Sequence, residues 1–70
     1  MAQVVKVLEL VGDSTRGWQE AIENAVQEAA RTVDNITGVE VYNMTGNVER
    51  GHIVEYKANV KVAFLVEPQR

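Results

Sequence analysis

The sequence predicts an α+β fold, β-α-β-β in order, with a three-stranded antiparallel sheet wrapped over one helix. Three observations predict it. Residues 15–34 place Trp18, Ala21, Ile22, Ala25, Val26, Ala29, Ala30 and Val33 at spacings of three and four, the stripe of an amphipathic helix. Residues 53–67 alternate apolar and polar with the two-residue period of a strand. A short polar tip separates that strand from the one before it, so the two form an antiparallel hairpin. A right-handed crossover through the helix then lets the first strand pair with the third.

The first strand is read over Val4–Val11, VVKVLELV, where six of eight residues are apolar. Val5, Val7 and Val11 fall on one face, and Val4, Leu8 and Leu10 on the other. One helix covers one face. The other therefore needs an outside partner, most simply a second copy of the chain. Gly12–Gly17 forms the turn into the helix. Ser14 or Asp13 is expected to cap the helix start, accepting from a free backbone N–H. Gly38 is expected to close its end with positive φ. Alanines dominate the stripe and allow close packing, and Trp18 is expected to anchor the first turn against the sheet.

The second strand is read over Val39–Val48, with Gly46 marking a bulge or a close backbone approach. Glu49–His52 is the hairpin loop. In the third strand, Ile53–Glu67, residues Val54, Tyr56, Ala58, Val60, Val62, Phe64 and Val66 point one way, and Pro68 ends it. Fifteen residues extend roughly 50 Å. A compact chain of this size has a radius of gyration of about 11 Å and a diameter of roughly 28 Å. The strand must bend sharply or run past its own core, a second indication of self-association.

A chain of 70 residues makes a single domain, 1–70. It has no cysteine, so neither disulfides nor Cys–His zinc sites contribute. The net charge of −3 argues against a nucleic-acid partner. The N-terminal MAQVVKVLELVG is too short and too charged for a signal peptide or a membrane span, so the expected location is cytoplasmic.

Chemistry is sparse. His52 is the single histidine and Ser14 the single serine, with no third member for a triad. No catalytic residue is assigned, and the expectation is a binding protein rather than an enzyme. Glu20, Glu23 and Glu28 read as a solvated helix face, with a weak cation site completed by a second subunit as the alternative. Metal ligands are not assigned. Tyr42 and Tyr56 read as strand aromatics.

Several segments together resemble the dodecin family. They are Leu-Val-Gly-x-Ser at Leu10–Ser14, Arg31-Thr32-Val33-Asp34-Asn35, Val39-Glu40-Val41, and Tyr56 leading to Val60-Lys61-Val62-Ala63-Phe64. The resemblance runs from about Val5 to Glu67. It implies a β-α-β-β subunit, a hollow dodecamer of cubic symmetry, and small-molecule binding or storage. Many members hold flavins in pairs at two-fold interfaces. Flavin-binding members place a tryptophan just before the second strand, and the matching residue here is Gly38. They tend to carry a glutamine after the third-strand tyrosine, and here that residue is Lys57. Losing a stacking face removes on the order of 1–3 kcal/mol per ring. A lysine ammonium donates but cannot accept.

The resemblance therefore implies a self-assembling protein with weak or no flavin binding. Its ligand would be a calcium ion, as in a calcium-binding member of the family, or an anionic small molecule near Lys57. The alternative is a riboflavin- or FMN-binding protein with a rearranged pocket lined by Trp18, Tyr42 or Tyr56.

Overall fold

The structure, a computed structural model, describes residues 3–66. Its elements are β1 (Val4–Ser14), α1 (Trp18–Ala30), β2 (Ile36–Glu49) and β3 (His52–Val66). They form one antiparallel sheet in the order β1-β3-β2, as the hairpin and crossover predict. Glu67 and Pro68, expected to finish β3, lie outside the described residues.

The helix is shorter at both ends than the predicted span 15–34. β1 continues through Gly12 and Asp13 to Ser14, so α1 begins only at Trp18, after Gly17 in extended backbone (φ 167). No side chain caps α1. The hydroxyl of Ser14 is committed elsewhere: it donates to Glu20 Oε1 at 2.6 Å and accepts from the backbone N–H of Arg16 at 2.9 Å. At the other end, Thr32 and Val33 N–H groups both donate to the carbonyl of Ala29 and tighten the last turn. The chain then reverses at Asn35, whose φ is 65. Asn35 takes the left-handed conformation expected of Gly38, as asparagine tolerates it better than most residues. Gly38 lies in β2.

The core is small. Ala21, Ala25 and Ala29 of α1 pack against Ala58, Val60 and Val62 of β3, flanked by Leu8, Leu10, Ile22, Val26 and Ile36. Gly12 makes this close approach possible, because a Cβ there would sit 2.0 Å from the carbonyl oxygen of Ala21. Trp18 anchors the first turn as expected. Its ring meets Tyr56 edge-on, with centroids 4.8 Å apart, and its indole N–H donates to the Thr45 carbonyl at 2.9 Å.

Two apolar strips stay uncovered. Val5, Val7 and Val11 are 51%, 55% and 65% exposed, whereas Leu8 and Leu10 face the helix. Helix α1 lies across β1 and β3 and barely reaches β2. Val39, Val41 and Met44, in register with Val62, Val60 and Ala58, are consequently exposed as well. The molecule extends 57 × 20 × 13 Å with a radius of gyration of 14.7 Å, so β3 runs past the core.

The β2–β3 hairpin turns on Arg50 and Gly51, with φ of 53 and 79, the pair of positive angles of a type I′ turn. Arginine at the first position is strained. Arg50→Gly is expected to raise the midpoint of urea unfolding, by about 0.5 kcal/mol in stability. An unchanged or lowered midpoint would place the turn's strain elsewhere. Three register shifts interrupt β2–β3 pairing, one of them between Asn47 and Val48, immediately after Gly46. Gly46 is itself a close approach, since an added Cβ would lie 3.2 Å from Ile53 Cγ2 and 3.7 Å from Trp18 Cζ2.

Candidate functional site

The face of the sheet turned away from α1 carries most of the polar side chains. Cross-strand partners share a face. The register therefore sets rows across β1, β3 and β2: Asp13–Lys57–Thr45, Val11–Asn59–Asn43, Glu9–Lys61–Glu40 and Val7–Ala63–Gly38.

Gly38 and Lys57 share this face without meeting. Gly38 stands opposite Ala63, six residues along β3 from Lys57, a separation of roughly 20 Å. That is longer than a flavin ring system. Nothing lies within 4 Å of the Cβ that Gly38 would carry, so its surroundings are open. Trp18 and Tyr56 come together on the helix side of the sheet, the face opposite to that of Gly38 and Lys57. Tyr42 is an extra residue in the shift between Val41 and Asn43, and the Lys61 ammonium sits 5.2 Å from its ring centroid. Lys61 also approaches Glu9 at 3.9 Å. Lys57, half-buried on the same strand, makes no ion pair with Asp13 or any other described carboxylate.

The helix carboxylates are engaged separately. Glu20 is held by Ser14 and Arg16, Glu23 by Gln19, and Glu28 by Arg31 at 3.0 Å. Among the described residues, no group of three or more His, Cys, Asp or Glu side chains is placed to hold a metal ion. His52 lies at the hairpin tip opposite Glu49, far in register from Ser14. Open depressions of about 340 and 400 Å³ lie beside the start of α1 and between its end and the end of β3. Neither is lined by Gly38 or Lys57. Among the described residues, no helix is long and apolar enough to cross a membrane.

Sequence reasoning missed three polar side chains beside Lys57, namely Thr45, Asn43 and Asn59. The Asn-x-Thr and Lys-x-Asn alternations mark each pair as sharing a strand face, but only the register joins the pairs.

A β-α-β-β protomer with two bare apolar strips and a polar sheet face has the form of a small binding protein. The Dodecin family model matches residues 4–67, and the chain belongs to the dodecin family. It is 33% identical over 67 residues to a dodecin of Thermus thermophilus, covering 96% of this chain and 97% of that one. It is 31% identical over 65 residues to the calcium dodecin of Mycobacterium tuberculosis, covering 93% and 92%. Among solved structures, a Thermus thermophilus protein matches with a TM-score of 0.92 at 31% identity, covering 97% of this chain and all of that one. The Mycobacterium tuberculosis calcium dodecin, described as having a calcium-binding site, matches with a TM-score of 0.79 at 30% identity, with 96% of each chain covered.

Proposed function

We propose that the chain, as one domain over 1–70, assembles into a hollow homododecamer that binds or stores a small ligand in the cytoplasm, is not an enzyme, and binds flavin weakly or not at all. The observation that carries the flavin reading is the open space at Gly38, where flavin-binding members place an indole. Lys57 supports it, because a flavin's pyrimidine edge needs both donors and acceptors and an ammonium offers only donors. Trp18 offers no substitute wall, being tied to Thr45 and Tyr56. The separation of Gly38 and Lys57 supports a site shared between two copies for a ligand of flavin size.

A riboflavin and FMN fluorescence titration tests this. The wild-type assembly is expected to leave flavin fluorescence unquenched at micromolar concentration. Gly38→Trp with Lys57→Gln is expected to bind flavin about 10- to 100-fold more tightly, the equivalent of one stacked ring. Saturating quenching by the wild type would overturn the reading and turn attention to Tyr42 and Tyr56. A double variant without quenching would overturn the pocket assignment.

Calcium binding is the second reading. It is supported by the 31% identity to the calcium dodecin.

A further inference from the structure

We infer that Lys57, Thr45, Asn43 and Asn59 form an oxyanion subsite on the open face of the sheet, taking the phosphoryl or carboxylate group of a small molecule. The inference deepens the binding role proposed above and rests on it in treating this face as a ligand surface. The four residues occupy two adjacent rows, Lys57 opposite Thr45 and Asn59 opposite Asn43. Neighbouring strands lie about 4.8 Å apart, and every second residue along a strand about 7 Å apart. The patch is the size of one phosphate or carboxylate group with its first contacts.

All four side chains carry N–H or O–H donors. None of the four side chains makes a hydrogen bond or ion pair to another described residue. Lys57 and Asn59 are nonetheless half-buried. Their polar atoms still reach solvent, so the donors stay open to a ligand, and one anion accepts from several of them together.

Lys61 supplies the internal contrast. It projects from the same strand onto the same face, yet Glu9 lies 3.9 Å from its ammonium and the Tyr42 ring 5.2 Å. Lys57 has Asp13 across from it in register, but no ion pair forms. Glu55, two residues away, is drawn off by the Asn47 amide at 2.7 Å. One lysine is already neutralised and the other is left for a ligand.

Calorimetric titration of the purified assembly with inorganic pyrophosphate and, separately, with succinate tests the subsite. Saturable binding of pyrophosphate alone identifies a phosphoryl ligand, and of succinate alone a carboxylate ligand. Lys57→Gln is expected to weaken that binding about tenfold or more, as for the loss of a charged hydrogen bond. Asn43→Asp, an isosteric change at an exposed position, is expected to weaken it by repulsion. Lys61→Gln is expected to leave it within about twofold. Binding of neither probe overturns the inference, as does binding that Lys57→Gln leaves intact. Flavin quenching by the wild type would overturn the proposed function without touching this result, so the two failures are distinguishable.

Discussion

Gly12→Val is expected to yield no folded protein. Any Cβ at residue 12 falls 2.0 Å from the carbonyl oxygen of Ala21 and 2.9 Å from the Cβ of Ala25. The obstruction at Ala21 is backbone, which no rotamer change removes. The helix would have to lift from β1 and β3, separating Ala21, Ala25 and Ala29 from Ala58, Val60 and Val62. Overpacking of this kind costs about 1–3 kcal/mol in cores that can adjust, and more where backbone is struck. A chain of this length has roughly 4–10 kcal/mol of stability in all. Even Gly12→Ala introduces the offending atom, and its melting transition is expected to fall sharply or vanish. Gly17→Ala is the control: its backbone is extended and nothing lies within 4 Å of the added Cβ, so little change is expected. A Gly12→Ala protein that melts like the wild type would show that the helix–strand approach is looser than described.

Val7→Asp is expected to break the assembly while leaving the protomer's secondary structure intact. Val7 sits in the middle of the bare strip Val5–Val7–Val11, and its cross-strand partner is the small Ala63. If a second copy covers this strip, a carboxylate there is buried without a partner, at a cost of several kcal/mol per interface. The cost recurs at every equivalent contact of a symmetric shell. Light scattering should report a much smaller mass, with the helical circular dichroism signal retained. Leu8→Asp, one residue along, strikes the helix-facing side and is expected to unfold the chain instead. A Val7→Asp protein of undiminished mass would mean that this face is not where copies meet.

The helix stripe, the strand order and the unequal faces of β1 were legible in the sequence, because period and polarity are local properties of the chain. The helix limits were not. Ser14 carries a capping hydroxyl, but Gly12 lets β1 continue beneath the helix, and the hydroxyl bonds to Glu20 instead. Asn35, not Gly38, turns the chain. The departures at Gly38 and Lys57 were also legible, as residue types out of pattern. Their separation was not, since it depends on which residue of β3 stands opposite Gly38. The donor patch shows the limit best. A bulge-free hairpin closed at Arg50-Gly51 would set Thr45 opposite Tyr56 and Asn43 opposite Ala58. The shift between Asn47 and Val48 slides the strands by one residue, so that Thr45 meets Lys57 and Asn43 meets Asn59. A bulge is decided by the fit of two strands, and nothing in either strand alone announces it.

The core described above contains no fully buried side chain larger than valine among the described residues. A lone protomer therefore holds its shape on little more than alanine and valine contacts, while much of its remaining apolar surface faces water. Under the proposed assembly, mass action governs the stability of the fold. If association completes the native structure as proposed, stability rises with protomer concentration and falls on dilution, while the lone protomer keeps its secondary structure at a lower stability. In such an assembly, a freshly synthesised chain at low abundance would be exposed to proteases until enough siblings accumulate, and the population would pass from vulnerable to durable over a narrow range of expression.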